Sequence, residues 1–296
     1  MAKYKFERKD ILIGSDPEFA VSTDGLFPIP VSVIGKLGGN KAEPMDIGEG
    51  CGLQEDNVMA ELTMPPCKTF EEFYYYINYG KCKIEEIIFK NTGQIVRTQS
   101  WSSAEYSKDD VSHPVAQKFG CEPSFCIYTK GISPRPSPEE VGNLRSAGFH
   151  IHMGIPKLLS QEERIRLIFC CDLMLGIPSI ILDTDNKRRK LYGNAGDFRA
   201  KLKPEEDYTI MEYRTLGAAM HGSYLLLNFV WDQTQRALQL FLETSSVDEI
   251  CKKFDISMQE IRSVIDEQMM NICEELIETL EIKLPENARV NVGVGG

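Results

Sequence analysis

The sequence predicts an α+β protein with a largely antiparallel sheet. Three observations carry this. Short strand-like runs open the chain and return after position 140. Polar residues within those runs recur at i and i+2, the spacing that puts them on one face of an extended strand. Helical runs lie between and after them, without the regular βαβα alternation of a doubly wound fold.

Taken in order, residues 11–34 read as a strand, a turn at Asp24-Gly25 and a returning strand broken by prolines. Residues 35–50 are glycine-rich, and Gly38-Gly39-Asn40-Lys41 lacks the GK[ST] ending of a Walker A loop. This loop serves either as a flexible connection or as a substrate contact. Residues 54–66 alternate as one strand, with Met59, Glu61 and Thr63 on one side, and Pro65-Pro66 ends it. Thr69 and Glu72 form a capping box for a helix running to about Lys90. Residues 91–147 read as a loop-rich excursion with one short strand near Cys126–Tyr128. The next strand carries Phe149-His150-Ile151-His152-Met153, its two imidazoles on one face and its apolar residues on the other. Ser160 and Glu163 cap a helix over 159–182 that Gly176 and Pro178 bend or end. A basic loop spans 183–207, a strand spans Tyr208–Leu216, and helices follow over 223–243, 247–254 and 257–281. The simplest division is one domain over 1–286, helical from about 223, and a flexible tail at 287–296.

Composition narrows the function classes. The chain has 296 residues, 42% hydrophobic and 26% charged, as expected of a soluble globular protein. No run of about 18 apolar residues suited to a bilayer is apparent. The N-terminal segment lacks the apolar core of a signal peptide. Nine scattered cysteines without zinc-site CxxC pairs fit a reducing cytoplasm. A net charge of −11 argues against nucleic acid or anionic membrane as a partner. Against that acidic background, arginines are concentrated between Lys187 and Arg214.

The chemistry-bearing residues are Asp16, Glu18, Glu61, His150 and Glu212 on strand faces, with Arg188, Arg189, Arg199 and Arg214 near them in sequence. Carboxylates with a single imidazole are hard, oxygen-rich ligands suited to Mg²⁺ or Mn²⁺. Acids crowded together repel one another unless a cation lies between them. Arginines beside such ions recognise phosphate or carboxylate, the combination phosphoryl transfer requires.

Seven segments occur in the order of one known family: GSDPEF (14–19), GGNKAEP (38–44), QEDNVMAELTMPP (54–66), FGCEPSF (119–125), RSAGFHIHMG (145–154), RRKLYGNAGDFR (188–199) and EYRTLGA (212–218). On these the chain resembles the phage-type COOH–NH2 ligases (amidoligases) of the glutamine synthetase/glutamate–cysteine ligase superfamily. The resemblance implies a curved sheet of glutamine synthetase catalytic-domain type, with helices on its outer face. It implies an ATP- and Mg²⁺-dependent (or Mn²⁺-dependent) ligase with two or more ions, joining a small-molecule or peptide carboxylate to an amine through an acyl phosphate. Asp16 and Glu18 would each face a different ion. Glu61 would join Glu18, with Glu55 or Asp56 as a further ligand. His150 and Glu212 would join Asp16. His152 and Lys41 would meet ATP, and Arg188, Arg189, Arg199 and Arg214 would contact phosphate or the activated carboxylate. Phe149 stands where related sequences often have a small residue, which would narrow the site floor. A phosphotransferase, a metal hydrolase and a catalytically silent binding protein are the alternatives.

Overall fold

Alternation decides the central sheet. In Ile151–Ile155 the apolar Ile151, Met153 and Ile155 are fully buried, whereas His152 stays partly open. In Tyr208–Tyr213 the buried set is Thr209, Met211 and Tyr213. The strands pair antiparallel with Ile151 opposite Tyr213 and His152 opposite Glu212. One face is thereby apolar and the other carries the polar groups.

The computed structural model describes residues 4–114, 116, 124–133 and 137–286. Among these, the central pair belongs to a six-stranded antiparallel sheet. Its order is Leu12–Ser15, Ile151–Ile155, Tyr208–Tyr213, Asp197–Lys203, Phe125–Cys126, Gly131–Ile132. A second sheet runs Pro28–Ile29, Glu18–Ser22, Met59–Thr63, Cys51–Asp56, Met45–Gly48, and Arg97–Gln99 also pairs with Glu18–Ser22. The two sheets meet in one stretch of chain interrupted at Asp16-Pro17. The chain from Met59–Thr63 on to Cys67 passes both halves: Leu62 N–H donates to the Pro17 carbonyl at 3.1 Å, and Ile13 and Cys67 exchange backbone bonds at 3.0 and 2.7 Å. Glu18 N–H donates to the Gly148 carbonyl at 3.1 Å across the same break.

Helices cover the apolar faces, so the α+β expectation holds. Phe70–Thr92 is capped by Thr69 and Glu72 as expected and buries Phe73, Ile77, Ile84 and Ile88. Gly80 lets this helix approach the second sheet, because a Cβ there would sit 2.5 Å from Leu62 Cδ2. Gln161–Cys171, capped by Ser160 and Glu163, backs the first sheet, where Cys171 Sγ lies 3.9 Å from Met153 Sδ. The expected bend falls at Asp172–Gly176, a π-helical turn just ahead of Pro178, and the helix resumes at Ile177–Leu182. Proline has no N–H to continue the ladder, which favours such a turn before it.

Several expectations are corrected. The run Gln161–Leu182 is in fact long and apolar enough to cross a membrane, with mean hydropathy 2.0. However, 94% of its apolar window is buried inside the fold, against the sheet and neighbouring helices. The 54–66 run is not one strand. It is part of the hairpin Cys51–Asp56/Met59–Thr63, turning at Asn57, whose φ is +58°. The basic 183–207 loop contains a sheet strand, Asp197–Lys203. The 91–147 excursion holds further short elements, among them Ser103–Glu105 paired with Leu144–Ser146. The 257–281 helix is two, Met258–Asp266 and Met270–Thr279, broken where Gln268 has φ +53°. Helices over Tyr224–Glu243 and Val247–Phe254 match. The 287–296 tail and most of FGCEPSF lie outside the described residues.

Candidate metal centre

Pro17 sets the geometry of the site. It breaks one extended stretch between the two sheets, and the acids on either side of it join different groups of ligands. Asp16, His152 and Glu212 offer ligand atoms within 4.8 Å of one another, and so do Glu18, Asp56 and Glu61. Each group could hold a metal ion.

The first group is already balanced by positive charge. His150 Nδ1 and His152 Nε2 lie 3.0 and 3.3 Å from the same Asp16 oxygen. Burial pushes the Asp16 carboxyl up, but the two imidazoles outweigh it and hold it well below the usual carboxylate range. Glu212 behaves alike: burial raises it, Arg214 and His150 overcome that, and the carboxyl ends lowered. Arg214 Nη1 donates to Glu212 Oε1, and Arg199 Nη1 approaches the same oxygen at 3.4 Å.

The second group has no such balance. Glu18 and Glu61 face each other across the strand pair. Their hydrogen bonds come from neutral donors: Gly148 N–H to Glu18 Oε2 and Gln54 Nε2 to Glu61 Oε2, both at 2.7 Å. Burial, then the Asp56 charge, push Glu18 up to about 8. Burial followed by Asp16, Asp56 and Glu18 push Glu61 well above its ordinary value. Asp56 is likewise raised by burial, with Lys41 opposing. One buried and two half-buried carboxyls that resist ionising together offer oxygens matched to a hard divalent cation, which would relieve the repulsion.

The hairpin resolves the choice between Glu55 and Asp56. Glu55 Oε1 accepts from Gly38 N–H at 2.8 Å, so it anchors the glycine loop, whereas Asp56 joins Glu18 and Glu61. Gly39 is obligatory in that loop: its φ is +76° and a Cβ would meet the Leu53 carbonyl at 2.3 Å. Lys41 is exposed on the same loop and reaches the site through its charge on Asp56. Both histidines reach the first group. His152 completes the set with Asp16 and Glu212, while His150 Nδ1 bonds to Asp16 and lies 3.6 Å from Glu212 Oε1.

The arginines divide. Arg199 and Arg214 stand on Glu212 as described. Arg188 is buried and its guanidinium donates to the carbonyls of Ala147, Thr215 and Arg214 at 3.1, 2.8 and 3.3 Å. It lines the site but pins three backbone groups. Gly193 makes room for it, since a Cβ there would sit 1.9 Å from Arg188 Nη1. Arg189 is brought elsewhere, donating to Ser179 Oγ at 2.6 Å and to the Gly193 carbonyl at 3.3 Å. Neither of the pair is a solvated basic residue. Phe149 does not form the floor either. It is fully buried behind the strand, against Phe73 and His221.

Two residues near the site are absent from the candidates drawn from sequence. His221 stands 3.0 Å from the Glu18 carbonyl through Nε2 and 3.0 Å from Ser100 Oγ through Nδ1. A carbonyl only accepts, so Nε2 carries the proton and His221 fixes the backbone of a candidate ligand. Burial and then Lys81 push its pKa down to about 3, keeping it neutral. Asp197 lines a cavity of about 80 Å³ that also contacts Glu18, Asp56, His150, Arg188 and Arg214. The signal for it was present, since Asp197 and Arg199 repeat the polar i, i+2 pattern.

A scan against protein-family models matches none, and a search of curated proteins finds no similar sequence.

Proposed function

We propose that this protein is an ATP- and Mg²⁺-dependent carboxylate–amine ligase, forming an amide or isopeptide bond. The observation that carries the reading is the pair of ligand groups divided by Pro17, with Arg199 and Arg214 beside one of them. The order of the seven sequence segments supports it. So does the antiparallel sheet with polar groups on one face, which would be that of a glutamine synthetase-type catalytic domain.

A carboxylate does not condense with an amine in water, because oxide is too poor a leaving group. In the proposed reaction the γ-phosphoryl group of ATP passes to a substrate carboxylate oxygen, giving ADP and an acyl phosphate. The amine then attacks the carbonyl carbon, inorganic phosphate departs, and the ammonium proton passes to a base. Bound divalent ions would supply neutralisation of the phosphate oxygens. Asp16, His152, Glu212, Glu18, Asp56 and Glu61 would hold those ions. Arg199 and Arg214 would release Glu212 to meet transferred phosphate, and Lys41 would bring the glycine loop over the nucleotide. Substrates would be small or peptide-borne in a cytoplasmic setting, that of the host if the chain is viral.

The test is incubation with ATP, Mg²⁺ and pooled amines and carboxylates, reading phosphate release and product mass. Release that requires both substrate classes supports the ligase. A phosphorylated product accumulating without any amine requirement points to a phosphotransferase. Hydrolysis without ATP points to a metal hydrolase, and failure to turn over or bind nucleotide to a silent binding protein. Each of these last three overturns the proposal.

A further inference from the structure

Glu18, Asp56, His150 and Arg214 line the cavity beside the metal centre, and so do Ser133, Asn194 and Asp197. Arg214 N–H donates to the Asp197 carbonyl at 3.0 Å. Asp197 is 5% exposed. One of its oxygens accepts from Ser133 Oγ at 2.5 Å, and Ser133 is its only side-chain hydrogen-bond partner among the described residues. Asp197 lines the cavity, and its second carboxylate oxygen accepts no hydrogen bond among the described residues. Burial pushes this carboxyl up, to about 6, which still leaves it ionised at neutral pH.

The Arg214 and Arg188 charges pull this carboxyl down against burial, but neither guanidinium is among its side-chain hydrogen-bond partners. Arg188 donates to three backbone carbonyls. Arg145 donates to Asn57 Oδ1 and to the carbonyls of Gly142, Leu144 and Ala116. Guanidinium groups committed in this way shape the wall but bring few hydrogens to a ligand. A buried carboxylate with an open acceptor needs a donor, and the strongest match is a charged N–H group.

We propose that Asp197, held by Ser133 in the wall of this cavity, binds the primary ammonium group of a substrate. The assignment rests on the ligase reading and narrows it. The ammonium belongs either to the amine that attacks or to an amino acid whose carboxylate is activated at the metal centre. Asp197 orients that group, and Ser133 fixes the carboxylate plane through its hydroxyl.

The experiment uses the full chain with calorimetric titration of four probes: n-butylammonium, L-alanine, N-acetyl-L-alanine and butyrate. Butylammonium binding alone identifies the attacking amine, and L-alanine binding with N-acetyl-L-alanine excluded identifies the amino acid. In either case Asp197→Asn, which keeps the acceptor for Ser133, weakens the ammonium probe by about tenfold or more, the worth of a charge-assisted hydrogen bond. Butyrate is unaffected. If that variant fails to fold, Ser133→Ala takes its place, with a loss of about threefold or more expected as the carboxylate loosens. Ammonium affinity within twofold of wild type in the folded variant overturns the proposal, as does wild-type protein that binds neither ammonium probe. Mn²⁺ and ATP titrations on the same samples separate the two readings. Their absence beside variant-sensitive ammonium binding sinks the ligase alone, and their presence without ammonium binding sinks only the Asp197 assignment.

Discussion

Glu18 and Glu61 lie directly opposite each other in an antiparallel strand pair, both carboxyls raised first by burial and then by the charges of Asp56 and Asp16. Like charges at such a position destabilise a sheet. A fold that keeps them has a compensating use for them, and a shared cation is the chemistry that fits.

Replacing either with its amide separates stability from function. Glu61→Gln should leave the metal-free protein as stable as wild type or more so, because it removes a carboxyl whose ionisation burial and the acids around it oppose. It should also abolish the rise in melting temperature on adding Mn²⁺ through this group, and lower ATP turnover by about 100-fold or more. Thermal unfolding with and without Mn²⁺, beside the phosphate-release assay, checks both. A destabilised variant that still responds fully to Mn²⁺ contradicts the assignment.

The raised carboxyls also fix a pH dependence. Glu18 has an ordinary value of 4.5 and is pushed up to about 8 in the fold. Between those values the native state holds a proton that the unfolded chain has lost, so stability falls as pH rises through this window. The lowered Asp16 and Glu212 act oppositely, but only in acid. EDTA-treated protein should therefore melt at a lower temperature near pH 8 than near pH 6, roughly the span over which Glu18 gives up its proton. Mn²⁺ should restore more at the higher pH and release protons as it binds. A melting temperature that climbs across this range without metal counts against the cluster.

The two ligand groups differ in what an ion must displace. Around Glu18, Asp56 and Glu61 a cation replaces repulsion, whereas at Asp16, His152 and Glu212 it competes with imidazoles and with Arg199 and Arg214. Calorimetry should resolve a tighter Mn²⁺ event that Glu61→Gln removes. A weaker event, lost in Glu212→Gln, should strengthen when nucleotide draws the arginines away. Loss of the tighter event in Glu212→Gln would reverse this order.

Arg188 is predicted to act on stability. Lysine cannot reproduce a fork that reaches three carbonyls, so Arg188→Lys should cost about 2–4 kcal/mol in denaturant unfolding. The Km for ATP in the folded fraction should change little. A raised Km with unchanged stability would return Arg188 to the phosphates.

Much of this arrangement was legible from residue order because period-two alternation survives in strands with one buried face. Ile151, Met153, Tyr213 and Glu212 fall where their spacing puts them. The Asp197–Lys203 strand was hidden because Lys201 and Lys203 and the preceding glycines carry the composition of a loop. The 54–66 hairpin was hidden because a left-handed Asn57 reverses the chain without glycine or proline. That turn brings Asp56 beside Glu61. The fates of Arg188 and Arg189 were beyond local pattern, since adjacent identical side chains differ only in the partners that distant segments supply.

Asp16 and Glu18 are two residues apart on a single kinked strand and serve different ligand groups. Two trans peptide units span at most about 7 Å. Covalent structure consequently caps how far apart the backbone can carry the two groups, like jaws cut from one piece of metal. Ordering one seat would restrict the main chain of the other.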